Sequence, residues 1–163
     1  MSKSGGLGDS REASILTSAR TWRTLISWRG EGAHMESPRV LVVDDHVDSV
    51  DTLVLVLDCV GYSARGAYTG REGLAMASEW VPWAAVLDLA MPSMTGFELA
   101  SELKKACSPQ PLLFAVSGLQ TPDLDRRCQA SGFSRLFVKP CDPRILVEEL
   151  DRNRHGSALQ RSG

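Results

Sequence analysis

The sequence predicts an α/β protein with a doubly wound, five-stranded parallel sheet of strand order 2-1-3-4-5. Five short apolar runs alternate with five longer segments of helical character between residues 38 and 153, a pattern typical of βαβ units with right-handed crossovers. Such a parallel sheet is covered by helices on both faces. Four of the runs also end in polar side chains, and in open sheets of this kind ligands bind at the carboxyl ends of the strands.

The strands are predicted where β-branched and other apolar residues run together between turn signals. They cover residues 39–43, 62–67, 84–87, 112–116 and 136–138. The second strand has the weakest signal. The third stops at Asp88, and the Met91-Pro92 pair and Gly96 force a loop after it.

The first helix is predicted over residues 47–60, because this apolar segment is long for a strand and stops at Gly61. The residues expected to face the core are Val50, Leu53, Leu57 and Val60, and those left partly outward are Leu55, Val56 and Cys59. Either core packing or a partner surface would explain the outward apolar residues.

The other helices are predicted from capping residues at their N-termini. In chain order these signals are Thr69-x-x-Glu72, Thr95-x-x-Glu98, Thr121-Pro122 and Asp142-Pro143. The first two are capping boxes, and the last two place a cap and a first-turn proline before the helix. The helices that follow are expected to end near residues 80 and 107, before Gly132, and near residue 153.

The ends of the chain differ from its middle. Residues 1–36 are rich in Gly, Ser and Arg without a strand pattern, which predicts a flexible N-terminal tail before a domain of residues 37–154 and a C-terminal tail of residues 155–163. A short amphipathic helix is the alternative for the first segment, since Ile15, Ala19, Trp22 and Ile26 share one helical face. The segment lacks the continuous apolar core of a secretory signal.

Composition excludes several classes of function. The 163 residues carry a formal net charge of −2, so nothing favours nucleic acid or an anionic membrane as the main partner. No apolar run approaches the length needed to span a bilayer. The cysteines, which form no C-x-x-C pair, are predicted to be free thiols in a reducing, cytoplasmic compartment. They are Cys59, Cys107, Cys128 and Cys141.

The polar side chains at the strand ends have the chemistry of a phosphoryl-transfer site. Asp44, Asp45 and Asp88 would form a cluster in which two carboxylates ~4 Å apart repel by roughly 4 kcal/mol at an effective dielectric constant of ~20. Mg²⁺ relieves such repulsion and suits a site with few carboxylates, several waters and a phosphate. Lys139 adds a positive charge and Ser117 a hydroxyl, which completes the parts needed for phosphoryl transfer onto Asp88.

Each of these residues alone has a simpler interpretation. Asp88 alone is an ordinary turn residue, Ser117 a turn serine and Lys139 a solvated lysine. The Asp44-Asp45 pair alone fits a polar loop, and His46 is interpreted as a loop residue rather than an additional ligand. Their joint occurrence at the ends of neighbouring strands favours the functional interpretation.

The ordered set of motifs resembles the receiver domain of two-component response regulators. The matching pieces are Val42-Val43-Asp44-Asp45, Leu87-Asp88 followed by Met91-Pro92 and Gly96, Ser117-Gly118, and Lys139-Pro140. The resemblance covers about residues 38–153; each piece is weak alone, whereas the ordered set is specific. It implies the flavodoxin-like receiver fold with strand order 2-1-3-4-5.

The resemblance implies a role for each site residue. It makes Asp88 the phosphoacceptor, and it makes Asp45 and Asp88 direct Mg²⁺ ligands. The backbone carbonyl of Ala90 is the third ligand, and Asp44 acts through water. Ser117 follows the phosphoryl group, and Lys139 binds a phosphoryl oxygen. The peptide bond between Lys139 and the following proline is commonly cis in this family.

Two departures from the family pattern concern signalling and lifetime. Family members often carry Tyr or Phe three residues before the lysine, where this chain has Leu136, with Phe137 beside it on the other face of the strand. Ala90 and Leu119 stand at the positions that flank the path of the hydrolytic water. Apolar side chains do not orient water, so slow loss of the phosphoryl group is expected.

The resemblance implies a stand-alone receiver that accepts a phosphoryl group from a histidine kinase or phosphotransfer protein. Such a protein promotes only its own phosphorylation and dephosphorylation and is not otherwise an enzyme. It is expected to contact a downstream protein through the face of the fourth helix, fifth strand and fifth helix. The candidate contact residues on this face are Arg126, Arg127, Arg144 and Arg152. The sequence leaves a homodimer open.

Two other functions compete with this one. A receiver fold that no longer cycles phosphate would act as a pure interaction module, and Leu136 favours that alternative. An aspartate-nucleophile phosphatase also uses Asp and Mg²⁺ at a strand end, but it requires Asp-x-Asp after the first strand. The stretch Asp44-Asp45-His46 does not provide that motif.

Overall fold

The computed structural model describes residues 37–159, of which residues 155–159 are described only as the backbone of the last helix. The predictions of an N-terminal tail and of a helical face through residues 15–26 lie outside this part of the chain. No helix within it is long and apolar enough to cross a membrane. The four cysteines are free thiols, as predicted.

Five parallel strands and five helices alternate along the described chain. The strands are β1 (Arg39–Val43), β2 (Ser63–Ala67), β3 (Ala84–Asp88), β4 (Leu112–Ser117) and β5 (Phe133–Val138). The helices are α1 (Val47–Cys59), α2 (Gly70–Trp80), α3 (Gly96–Ala106), α4 (Pro122–Ala130) and α5 (Pro143–Leu159). The sheet order is β2-β1-β3-β4-β5 with every pair parallel, which confirms the predicted topology.

A hydrophobic core lies on each face of the sheet, as a doubly wound fold requires. Alternate residues of β1 enter opposite cores: Val40 and Val42 pack in the cluster shared with α1 and α5, and Leu41 and Val43 pack in the cluster shared with α2, α3 and α4. The strand period of two therefore divides one apolar run between two helical layers.

The last strand and the last helix are both longer than predicted. β5 begins at Phe133 rather than at residue 136, because Ser134 and Arg135 occupy the exposed positions of an edge strand and interrupt its apolar run. α5 continues to Leu159, beyond its predicted end near residue 153. No proline follows Asn153, and a single glycine costs a helix only about 1 kcal/mol.

One of the two predicted capping boxes is complete. At α3, Thr95 Oγ1 accepts from the Glu98 N–H at 3.3 Å and the Glu98 carboxylate accepts from the Thr95 N–H at 2.8 Å. At α2, Thr69 accepts from the Glu72 N–H, but the Glu72 carboxylate accepts from the N–H of Tyr68 instead. The prediction of a reciprocal box at α2 is therefore wrong, although the helix starts where Thr69 caps it.

The outward face of α1 carries the apolar residues predicted there, and Val47 in addition. Leu55 is 64% exposed and Val47 is 50% exposed, and Cys59 is also exposed. Val56, expected to lie partly outward, is partly buried against the core on the α1 and α5 side. The helix packs through Val50 and Leu57, which are fully buried.

Candidate phosphoacceptor and metal site

The topology gathers the predicted polar residues at one edge of the sheet. Asp44 follows β1, Asp88 is the last residue of β3, Ser117 is the last residue of β4, and Lys139 follows β5. Because all five strands are parallel, their carboxyl ends share that edge. Asp44, Asp88 and Ser117 are all buried there.

Lys139 links two of the carboxylates. Its Nζ lies 2.7 Å from Asp44 Oδ2 and 2.9 Å from Asp88 Oδ2. Partial burial of the ammonium lowers the pKa of Lys139, but the two carboxylates outweigh it and the pKa is raised above its ordinary value. Lys139 is therefore a fixed positive charge beside the Asp88 carboxylate at any physiological pH.

Asp44 and Asp88 are also held by backbone donors. Asp44 Oδ1 accepts from the His46 N–H at 2.9 Å, and Asp88 Oδ1 accepts from the Ala90 N–H at 3.2 Å. Burial raises the pKa of Asp44, but the bonds from Lys139 and from the His46 N–H outweigh that effect, so the pKa lies below its usual value. Asp44 is therefore ionised at neutral pH.

Asp45 is the more exposed acid, and His46 lies against it. The imidazole Nδ1 of His46 is 3.2 Å from Asp45 Oδ1 and 3.1 Å from Asp44 Oδ1. These contacts raise the pKa of His46, first through the hydrogen bond to Asp44 and then through the charge of Asp45. The sequence interpretation of His46 as a plain loop residue missed this placement, since nothing in the spacing indicates where the ring points.

Ser117 connects the ends of β4 and β5. Its Oγ accepts from the Leu119 N–H at 3.1 Å, and its carbonyl accepts from the Lys139 N–H at 2.8 Å. The Lys139–Pro140 peptide bond is cis, as the resemblance implies. A displacement of Ser117 would therefore reach both the loop before α4 and the lysine.

The aromatic residue next to the position three before Lys139, Phe137, faces away from α4. Leu136 is half-buried against the core beneath α2, α3 and α4, whereas Phe137 is buried on the opposite face, with its ring centroid 6.0 Å from that of Phe114. The predicted placement of these two residues on opposite faces is confirmed. At the position three residues before Lys139, the side chain on the α4 side is therefore the aliphatic Leu136.

A cavity of about 680 Å³ adjoins the site on the side of α1 and α5. Its polar end is lined by Asp44, Asp88 and Lys139, and its apolar wall includes Val86 and Val116. The phosphoacceptor candidate therefore lies beside enough space for a phosphoryl group and hydrated ion.

The donor set fits a divalent cation. One ligand atom from each of Asp44, Asp45, His46 and Asp88 lies within 4.8 Å of every other. Three carboxylates and the Lys139 ammonium leave a net charge of about −2, which a divalent ion balances. Carboxylate oxygens are the ligands that hard cations prefer, so the acidic cluster could bind such a metal.

The structure shows why position 96 is a glycine, which the sequence did not reveal. It opens α3 directly behind β3, and a Cβ at this position would overlap the backbone carbonyl of Asp88. The sequence marks Gly96 as a loop former and as part of the receiver motif. The structure shows that its missing side chain lets α3 approach the residue that carries the central carboxylate.

The model of the response regulator receiver domain family matches residues 40–151, which is more than half of the chain. The chain belongs to this family. The chemotaxis protein CheY4 of Vibrio cholerae has a solved structure with a TM-score of 0.66 and 28% identity to this receiver, covering 71% of this chain and 98% of that one. Family membership supports a phosphoacceptor role, and it disfavours the interaction-module alternative.

Two relatives show where such receivers occur. A protein of Leptolyngbya boryana is 32% identical over 109 residues, which is 66% of this chain and 83% of the relative. The sensor histidine kinase AtsR of Burkholderia thailandensis is 41% identical over 69 residues, which is 42% of this chain and 12% of the kinase. This receiver thus spans about a tenth of the sensor protein, and the relationship supports kinases or phosphotransfer proteins as partners.

Proposed function

We propose that this receiver accepts a phosphoryl group on Asp88 from a phosphohistidine of a histidine kinase or phosphotransfer protein. The observation that carries the proposal is the contact of 2.9 Å between the half-buried Lys139 Nζ and Oδ2 of the buried Asp88 at the strand ends. A fixed ammonium beside a carboxylate nucleophile is the arrangement that phosphoryl transfer needs, because its catalysis is mostly positioning and charge neutralisation.

The transfer forms one bond and breaks another. A carboxylate oxygen of Asp88 bonds to phosphorus as the bond between phosphorus and the donor's imidazole nitrogen breaks, and the electron pair of that bond stays on the nitrogen. Lys139 exchanges its contact with Asp88 for one with a phosphoryl oxygen. The Ser117 hydroxyl donates to another phosphoryl oxygen, which draws the loop before α4 toward the site.

The metal of this site is proposed to be Mg²⁺. Asp45, Asp88 and the backbone carbonyl of Ala90 would hold it directly, with Asp44 acting through water. When bound, Mg²⁺ neutralises charge on the phosphoryl oxygens during transfer. The neighbouring carboxylates support this assignment, because they form the hard, anionic donor set that suits Mg²⁺.

The downstream partner is proposed to bind the face of α4, β5 and α5. The arginines predicted there are engaged within the chain: Arg126 pairs with Asp123, Arg144 with Asp142, Arg152 with Glu149, and Arg127 stacks on Phe97.

Three exposed apolar side chains complete the face: Leu119 at 71%, Ile145 at 46% and Val138 at 37% exposure. These apolar residues are better contact candidates than the paired arginines, and a second copy of the receiver is the alternative partner.

Intact mass measured after incubation with acetyl phosphate tests the phosphoacceptor. The expected result is a Mg²⁺-dependent gain of one phosphoryl group that is lost in Asp88→Asn and kept in Asp123→Asn, a matched change at an exposed acid of α4. A folded protein that gains nothing is retested with a phosphorylated histidine phosphotransfer protein. Failure with that donor as well would favour the non-cycling interaction module.

A further inference from the structure

We propose that His46 is a metal ligand of this receiver, and that the strand-end site therefore takes divalent transition metals such as Zn²⁺ as well as Mg²⁺. The inference rests on the metal site of the proposed function and adds an imidazole to it. It concerns a residue that the sequence interpretation assigned to the loop rather than to the ligand set.

The imidazole ring of His46 lies against the carboxylates of the proposed metal site. His46 Nδ1 lies 3.1 Å from Asp44 Oδ1 and 3.2 Å from Asp45 Oδ1, and its ligand atom lies within 4.8 Å of that of Asp88. Bonds of about 2.1 Å to a shared metal space adjacent ligands by about 3 Å and opposite ligands by about 4 Å. Small side-chain rotations therefore suffice to bring all four atoms to one ion.

The N-terminus of α1 differs from those of α2, α3 and α4 in how its N-cap residue is used. His46 is the N-cap residue of α1, yet its side chain makes no capping hydrogen bond. The threonines at the N-caps of α2, α3 and α4 each accept a backbone N–H in the usual way. The imidazole of His46 is instead turned to the carboxylates, and its side chain is 70% exposed, so an incoming ion can reach it.

An imidazole nitrogen changes which metal ions the donor set prefers. Three carboxylates with Lys139 already balance the charge of a divalent ion, and a neutral imidazole adds a donor without adding charge. Imidazole nitrogen suits Zn²⁺, Ni²⁺ and Cu²⁺, whereas Mg²⁺ prefers oxygen ligands and keeps several waters. His46 should therefore strengthen Zn²⁺ binding more than Mg²⁺ binding, and the two ions should compete for Asp45 and Asp88.

The test compares Zn²⁺ and Mg²⁺ binding to the full chain and to His46→Asn. Asparagine keeps a hydrogen-bond donor near the carboxylates and is a favourable N-cap residue, so the variant should retain the start of α1. Both proteins carry His34→Ala, His155→Ala and Cys59→Ser, which leave His46 as the one imidazole of the parent and none in the variant, and remove the exposed thiol. Dissociation constants are measured by calorimetry at about pH 8, above the usual imidazole pKa of about 6.5.

The expected result is a Zn²⁺-over-Mg²⁺ selectivity that falls at least about tenfold in His46→Asn, since even indirect support of a metal ligand is worth about 10–100-fold in affinity. In the ¹⁵N spectrum of the parent protein, the Nδ1 resonance of His46 should move with Zn²⁺ and not with Mg²⁺. An unchanged selectivity or an unmoved resonance overturns the proposal. If Mg²⁺ still binds, only the role of His46 fails; if neither ion binds, the proposed Mg²⁺ site fails with it.

Discussion

Two residues next to the site side chains bear on how long the proposed phosphoryl group persists. The N–H of Ala90 binds Asp88 and the N–H of Leu119 binds Ser117, so both residues border the reacting groups. Both are exposed, Leu119 to 71%. Neither side chain has a polar atom that could orient a water for attack on the acyl phosphate.

We predict that Ala90→Asn shortens the lifetime of the phosphorylated form. An amide at this position can hold a water against the phosphoryl group. We expect hydrolysis of the phosphorylated form to become faster by on the order of tenfold. This is less than the 10²–10⁴-fold typical of a general acid or base, because an amide orients water without taking its proton. The decay rate is read from intact mass after the phosphoryl donor is removed.

The control for this prediction is Ala106→Asn, a similar change at an exposed position at the end of α3. It should leave the decay rate as it is in the unsubstituted protein. Equal decay in the unsubstituted protein and Ala90→Asn would show that the side chain two residues beyond Asp88 does not govern the lifetime.

At the scale of elements, the approach of α3 to β3 fixes the backbone that carries Asp88. Gly96 is the first residue of α3, and its N–H donates to the Leu89 carbonyl at 3.3 Å. A methyl group at Gly96 would overlap the Asp88 carbonyl. The atoms that this methyl group would meet belong to the backbone of Asp88 and Leu89, so no side-chain rotation relieves the overlap.

We predict that Gly96→Ala destabilises the receiver and slows phosphorylation of Asp88. Overpacking of this kind costs about 1–3 kcal/mol, which exceeds the gain of up to about 1 kcal/mol that alanine brings to a helix. The free energy of unfolding from urea titration and the rate of acetyl phosphate labelling measure the two effects.

Gly118→Ala is the matched control for Gly96→Ala. Gly118 also lies beside a site residue, but a Cβ there meets nothing within 4 Å. Its stability should change by less than about 0.5 kcal/mol. If both variants lose stability equally, the close approach at Gly96 is not the cause.

The ends of the elements mark where sequence reasoning worked and where it did not. β1 and β3 were predicted almost to the residue, because central strands of a parallel sheet are apolar throughout. β5 was predicted three residues too short, because an edge strand carries Ser134 and Arg135 on its exposed side. The pairing of Glu72 with Tyr68 rather than with Thr69 depends on side-chain placement, which a motif does not specify.

At the scale of the whole molecule, the topology made the site predictable. Parallel pairing and the order β2-β1-β3-β4-β5 bring Asp44, Asp88, Ser117 and Lys139 to one edge although they are far apart in the chain. The contacts of His46 and the closeness of Gly96 to Asp88 were not predictable, because both depend on local backbone direction rather than on residue spacing.

The carboxylates that the sheet topology brings to one edge predict how a divalent metal ion affects the stability of the fold. Folding brings Asp88 to the adjacent Asp44 and Asp45, so a divalent ion held by all three binds the native state in preference to the unfolded chain. Addition of Mg²⁺ should raise the free energy of unfolding by about 2.7 kcal/mol when the ion is present at about 100 times its dissociation constant. Urea titrations with Mg²⁺ and with a chelator measure this increment.

Asp45→Asn should reduce the stabilisation by Mg²⁺, because it removes the most accessible carboxylate of the cluster. In chelator the same variant should be equal to or slightly more stable than the unsubstituted protein, by less than about 1 kcal/mol, since Asp45 is partly exposed and solvent screens its repulsion. Asp123→Asn, at an exposed acid on α4, should keep the full response to Mg²⁺. A full Mg²⁺ response in Asp45→Asn would mean that the ion is held elsewhere than at the strand-end cluster.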